Sequence, residues 1–259
     1  VRFTRFLAGF AVACLPWSGT AVAQAAPVSA DDRVLTANRL YRGGELQPGR
    51  CVERGVRPNH VPSAKRYLTG VLNCLHQSWG AYFERAGLPF AKSRIGFITK
   101  PRRYCGHPWG AAQATYCHQE RRFLILLNRN VLDDPSDLYL FGLAAHEFGH
   151  HVQNLSGIMD AYLRKPYRDR RELLEQSRRI ELQAECLAGV FIGSVWDSLD
   201  RTPEDWERLL EITRMSGDEH RKVRHHGKGR NIAAWLKKGF LARSPQACNT
   251  WTAPASKVA

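Results

Sequence analysis

His146 and His150 stand four residues apart inside the run LFGLAAHEFGHHVQNLSGI, and that spacing restricts what the surrounding chain can become. On a helix it stacks both imidazoles one turn apart on a single face, with Glu147 beside them. Imidazoles so placed can grip one zinc ion while the glutamate flanks an open coordination position, the arrangement of a hydrolytic centre. The helix has its own support. Asp134 followed by Pro135 reads as N-cap and first helical residue. Phe141, Ala144, Ala145, Phe148, Val152 and Leu155 recur at three- and four-residue steps, and Gly157 offers a stop. Gly149 costs roughly 1 kcal/mol against Ala inside such a helix, so it points to close approach there by a substrate or a neighbouring strand. His151, turned about 100° from His150, should not share the metal.

A zinc site of this type needs a third protein ligand. The segment RRIELQAECLAGVFIGSVW carries a second helical stripe, Ile180, Ala184, Leu187, Ala188, Phe191 and Val195, and sets Glu181 and Glu185 four apart beside it. Glu181 would complete a His-His-Glu set. Glu185 would accept from the far nitrogen of a ligand imidazole and fix its tautomer. Taken alone, the two glutamates are an ordinary solvated pair answering Arg178 and Arg179. Joined to the first helix, they read as ligand and support.

The combination HEFGHHVQNLSGI with ELQAECLAGV resembles the family of putative neutral zinc metallopeptidases, within the gluzincin group, where a glutamate on a second helix is the third ligand. GVLNCLHQSWGAYFERAG, ATYCHQERRFLILLN and the tail GDEHRKVRHHGKGRNIAAWLKKGFLARSPQACNTW follow that family's blocks in order, over roughly residues 65 to 252. The resemblance implies zinc on His146, His150 and Glu181, with Glu147 as general base. It matches His226 to the family's His-Gly position, from which a histidine folded back toward the metal would hydrogen-bond a tetrahedral intermediate. The family has Asp where this chain has Glu185, so the supporting contact must be made by an arm one methylene longer. His118 stands where a Pro is usual, which bears on a loop rather than on the metal. The implied fold is α+β, a mainly helical zincin-like domain with a small sheet before the metal helix. Edge strands of such sheets pair with substrate backbone, and Phe123 to Asn128 is the candidate by resemblance.

Residues 1–26 have Arg2 and Arg5, an apolar stretch of about a dozen residues and A-x-A patterns, which is the form of a secretory signal peptide. Its apolar run is short of the roughly 20 residues that a span requires, so cleavage is expected and Cys14 leaves with it. Residues 27–62, rich in Arg, Gly and Pro without sustained period, read as an extended arm. Residues 63–252 form the metallopeptidase domain and 253–259 a C-terminal tail. From Ser63 an amphipathic helix presents Tyr67, Val71, Leu72, Leu75, Trp79 and Phe83 inward, with Trp79 as core, until Gly87. Arg94 to Thr99 and Arg122 to Leu127 are β-runs. Thr202 to Asp205 resembles a capping box before a further helix. Six cysteines remain after the leader, and an even count in an exported chain argues for disulfides among fifteen arithmetical pairings. Cys105 with Cys117, flanking a short polar loop, comes first; Cys51 with Cys74 and Cys186 with Cys248 follow.

The formal charge is +14, and losing Arg2 and Arg5 leaves +12, which favours acidic partners. For a secreted or cell-envelope protein these would be anionic envelope polymers or lipid headgroups. Nucleic acid is disfavoured, because no zinc finger, recognition helix or RNA-binding aromatic pattern accompanies the charge. The run from Asp160 to Gln176 reads as a solvated charged face, with a basic rim on the cleft as its alternative. The expected function is hydrolysis of peptide bonds in peptide or protein substrates, cell-wall cross-links included. The competing class is a basic envelope-associated binding protein whose zinc site is structural or degenerate.

Overall fold

The three apolar stripes read from the sequence all turn inward, and their packing sets the site. The computed structural model describes residues 32–133 and 137–259; the leader, Cys14 and the helix start at Asp134 and Pro135 lie outside them. In chain order come α1 (Arg33–Thr36), α2 (Val61–Arg85), β1 (Arg94–Ile98), β2 (Ala114–Cys117), β3 (Arg122–Leu126), α3 (Arg129–Leu132), α4 (Asp137–Leu155), α5 (Ile158–Arg164), α6 (Arg170–Val195), α7 (Pro203–Met215) and α8 (Gly229–Ala242). The fold is α+β and mainly helical, with one small sheet ahead of α4.

α2 starts where the His60 side chain accepts from Ser63 N, and it stops at Gly87, whose φ of 62° lets Leu88 N donate back to Phe83 O at 2.8 Å. Its inner face is buried, Trp79 included at 1 % exposure, which makes that indole core. α7 begins with the capping box: Asp205 N donates to Thr202 Oγ1, and Thr202 N donates to Asp205 Oδ2.

α4 carries the HEFGH run and lies against α6, which carries Glu181 and Glu185. A Cβ at Gly149 would stand 2.6 Å from Ala184 O, so the close approach belongs to the backbone of α6 rather than to a strand or a substrate. That glycine lets the two ligand-bearing helices come near enough to share a site. α6 crosses α8 on the same terms, since a Cβ at Gly239 would collide with Cys186 O.

The sheet runs β1-β3-β2, with β1 parallel and β2 antiparallel to β3. The expectation that Phe123 to Asn128 supplies a substrate-pairing edge is therefore corrected: β3 is the central strand, and both its edges are already bonded. Its side chains explain the position. Phe123 and Ile125 join the main core, while Leu124 and Leu126 pack with Tyr104 and Trp109 on the other face. A strand apolar on both faces belongs in a sheet's interior.

Three disulfides form, in the pairs expected. Cys51–Cys74 clips the N-terminal segment to α2, Cys105–Cys117 closes the loop leading into β2, and Cys186–Cys248 fastens the C-terminal region to α6. The segment from residue 32 to 60 is anchored more firmly than its composition suggests, because Leu35, Leu40 and Leu46 are buried at irregular spacing. Residues 253–259 lie on α6 and α8, where Arg178 Nε donates to Val258 O and Trp235 Nε1 to Lys257 O, both at 2.9 Å. Among the described residues no helix is long and apolar enough to cross a membrane.

Candidate metal centre

α4 and α6 bring the candidate ligands together. His146 Nε2 and His150 Nε2 each lie 3.4 Å from Glu181 Oε2. Each imidazole is held by its other nitrogen. His146 Nδ1 donates to Glu185 Oε2 at 2.7 Å, so the longer glutamate arm spans the gap. His150 Nδ1 donates to Gln153 Oε1 at 2.9 Å, and Gln153 Nε2 donates in turn to Ile180 O and Gln183 Oε1 on α6. Both contacts place a ring proton on Nδ1 and turn Nε2 toward Glu181. Gln153 went unremarked in the sequence, although its place three residues after His150, on the same helix face, was the available signal.

The donor set fits zinc. Bonds of about 2.0–2.2 Å in a tetrahedron put neighbouring ligand atoms roughly 3.3–3.6 Å apart, and the two nitrogen-to-oxygen separations agree. Glu147 is 5 % exposed, and its Oε2 is buried with no hydrogen-bond partner among the described residues; the backbone N–H of Tyr116 on β2 slightly favours its charged form. Buried carboxylate oxygens are normally partnered, so this one is an acceptor that the fold leaves open beside the candidate ligands.

The electrostatics follow from burial and opposite charge. Burial pulls the His146 imidazole down, but the hydrogen bonds it donates to Glu181 and Glu185 outweigh this and hold it well above the usual histidine range. Burial likewise pushes the Glu181 carboxyl up, and His150 and His146 overcome that to hold it well below the carboxylate range. Glu147 goes the other way: burial raises it, and the two histidines offset this only in part. A carboxyl so raised is suited to taking a proton and giving it back.

The loop between α7 and α8 returns His226 to the centre, with Nε2 3.6 Å from Glu181 Oε2. Asp218, 1 % exposed, makes that return possible: its carboxylate accepts from His226 N at 2.7 Å and Gly227 N at 3.0 Å, and Gly227 takes the left-handed φ of 98°. Burial lowers the His226 pKa, with Glu181 opposing. Sequence reading passed over Asp218. Its one signal was a short acidic side chain in a Gly-rich turn ahead of the paired histidines.

His151 faces away from the metal position, as expected. Its Nδ1 accepts from the Tyr116 hydroxyl at 2.9 Å and its Nε2 donates to Ala91 O at 2.7 Å, while burial drives its pKa down to about 4.

Gln113 O accepts from Leu126 N at 2.8 Å, which puts Gln113, Thr115 and Cys117 on the β3-bonded phase of β2. The main-chain groups of Ala114 and Tyr116 therefore lie on the opposite edge, where the Tyr116 N–H already meets Glu147. The open edge beside the centre belongs to β2. A cavity of about 480 Å³ stretches from this edge across His146, Glu147 and Glu181 to α7 and α8. None of the basic residues between 160 and 176 lines it; Arg164 pairs with Asp160 and Arg168 with Glu172 in solvent. The basic side chains on the cavity are Arg221, His225 and His226 of the α7–α8 loop.

Residues 45–251 match the protein family described as "Putative neutral zinc metallopeptidase". The Escherichia coli K12 protein named "Uncharacterized protein YpfJ" is 27% identical over 216 residues, covering 76% of this chain and 75% of its own. "Uncharacterized protein Rv2575" of Mycobacterium tuberculosis H37Rv is 27% identical over 131 residues, 43% of each chain. No solved structure matches the chain.

Proposed function

The chain belongs to the family of putative neutral zinc metallopeptidases, and from that premise we propose that it is an exported zinc-dependent peptidase that hydrolyses peptide bonds. The observation that carries this reading is the pairing of two kinds of group in one cavity. His146, His150 and Glu181 stand at tetrahedral ligand spacing, and beside them Glu147 keeps one carboxylate oxygen buried and unpartnered. Export is supported by the leader pattern of residues 1–26 and by the three disulfides, which persist in oxidising compartments.

Zinc held there would supply a Lewis acid and an attacking water acidified toward about pH 7. The chain's own groups do the rest. An extended peptide pairs along the Ala114 edge of β2, displacing the Thr115 hydroxyl from Ala114 O, which gives affinity with little demand on sequence. Glu147 takes the proton of the attacking water on its free oxygen and delivers it to the leaving amine, with the Tyr116 backbone N–H favouring its charged form. His226, neutral near pH 7, donates to the oxyanion of the tetrahedral intermediate, with Asp218 fixing the turn that carries it. Glu185 and Gln153 keep the two ligand imidazoles in one tautomer. A purely structural zinc site has no use for a buried, half-partnered glutamate next to its ligands, which weighs against the binding-protein alternative.

The test is Glu147→Gln, with zinc content by mass spectrometry and peptide turnover measured side by side. Zinc should stay at the wild-type level while the rate falls by about two orders of magnitude or more. Unchanged turnover would remove the assigned base.

A further inference from the structure

The cavity over the candidate metal centre is lined by two chemically different sets of side chains. One is polar, formed by the candidate ligands and Glu147. The other is apolar, formed by Leu143 of α4, Leu182 of α6, Leu209 of α7 and the pair Ile232 and Leu236 of α8. Helix register accounts for the arrangement: Leu143 precedes His146 by three residues, Leu182 follows Glu181, and Ile232 and Leu236 share a face of α8. The charged residues on the cavity, Arg221 and the three glutamates 147, 181 and 185, belong to the α7–α8 loop or to the metal centre. A charged side chain seated against these five apolar side chains would lose water, and none of the five could partner it.

We propose that the apolar set forms a specificity pocket, and that the substrates are peptides with a Leu-, Ile- or Phe-sized apolar side chain at a residue flanking the scissile bond. This inference rests on the peptidase reading. At about 480 Å³ the cavity lies within the roughly 300–1,000 Å³ of sites that enclose organic ligands, enough for one large side chain and the main chain on either side of it. Gly142 sets the depth. It lies one turn before His146 and lines the cavity, and a Cβ there would touch Leu209 Cδ1 at 3.4 Å. Any side chain longer than Ala at 142 must take space from the ligand.

Two measurements test this. Zinc-loaded Glu147→Gln protein is titrated calorimetrically with blocked peptides that differ only in Leu, Phe, Ala, Lys or Asp at each residue flanking the intended bond. Wild-type protein is then profiled on a mixed peptide library containing the same set. Leu and Phe should exceed Ala at one flank by about tenfold or more in affinity and in kcat/KM, with Lys and Asp below Ala. Gly142→Leu should abolish the Leu and Phe advantage while zinc content stays at the wild-type level. If that variant fails to fold, Leu209→Ala, which widens the pocket from α7, should shift the preference from Leu toward Phe. Cleavage with a flat or charge-led profile overturns the pocket and leaves the peptidase reading standing. Apolar-selective binding without cleavage of any library member by the wild type overturns the peptidase reading, and the substrate assignment goes with it.

Discussion

His150 and His151 are adjacent in the chain and sit in opposite chemical settings. His150 looks toward α6, where Glu181 lies 3.4 Å from its Nε2 and raises its pKa against the pull of burial. His151 looks toward β2 and the segment before β1, where its partners are a hydroxyl and a carbonyl, and burial wins. Both rings are buried. The difference lies in the charge of the partner: carboxylates compensate the desolvation of an imidazolium, whereas neutral groups satisfy only the neutral ring. One face of α4 is thus prepared for cations and the other is locked by neutral hydrogen bonds. The face toward α6 carries the candidate metal ligands, while the back face ties α4 to β2 through Tyr116.

The strongest way to break this contrast is to remove the carboxylate that defines the metal face. Glu181→Ala leaves two imidazoles without their anionic partner. Partners outside the coordination shell cost about 10–100-fold in metal affinity when lost, and a direct ligand should cost more. Zinc content after dialysis against a competing chelator should fall from one per chain to near none, with activity following. Full retention of zinc would mean that the third ligand lies elsewhere.

The back face should reveal itself through pH. His151 has a folded pKa of about 4 against an ordinary 6.5, so the unfolded chain binds the extra proton between those values and the fold does not. Stability from this group is therefore complete above about pH 6.5 and is lost as pH falls toward 4, by about 3 kcal/mol in all. His146 and His150, raised in the fold without metal, act in the opposite sense and cancel when two chains sharing them are compared. In chelator-treated protein, His151→Gln should be less stable than wild type at pH 7 by about 2–3 kcal/mol, since buried polar groups lose their partners. That gap should narrow as pH drops from 6.5 to 4. A gap independent of pH would mean that His151 does not carry the acid sensitivity.

The metal face was more legible in sequence than the back face, for a physical reason. Two histidines and two glutamates at four-residue spacing declare their geometry through helix periodicity alone, and the stripes of Phe141 to Val152 and Ile180 to Val195 say which side is buried. The Cys105–Cys117 pair and the cap at Thr202 were legible too, from loop length and local hydrogen-bonding chemistry. β2 was not. Its four residues are buried at both ends and half-exposed between, so no two-residue period marks them, and its partner on β3 lies across a turn. Missing β2 shifted the edge role onto Phe123 to Asn128, although the unbroken apolar run there was itself the sign of a central strand. Asp218 and Gln153 act through contacts that only tertiary structure creates, one with backbone N–H groups of a loop, the other with α6.

A smaller change would sharpen the metal face without destroying it. Glu185→Gln keeps an oxygen able to accept from His146 Nδ1 but removes the charge, which separates orientation from electrostatics. Zinc affinity should fall by about tenfold, toward the lower end of what such supporting partners contribute. Wild-type affinity would assign Glu185 to orientation alone. A loss as large as that of Glu181→Ala would make the two glutamates equivalent and would blur the division between ligand and support.

The smallest effect should come from Tyr116, where the two faces meet. Its hydroxyl donates to His151 Nδ1 and accepts from Asn154 Nδ2, each at 2.9 Å, while its backbone N–H favours the charged form of Glu147. Tyr116→Phe removes only the hydroxyl. One acceptor on His151 and one donor on Asn154 lose a partner, although Asn154 keeps its bond to His118 O, so the cost should be about 1–2 kcal/mol, below that of removing the ring of His151. If the back face serves to place β2, kcat should also drop by a few-fold, on the order of 1 kcal/mol, with zinc content unchanged, because the N–H that steadies the base rides on that strand. A variant with lowered thermal midpoint and unaltered kcat would confine His151 and Tyr116 to stability, and the base would then be held by α4 without help from β2.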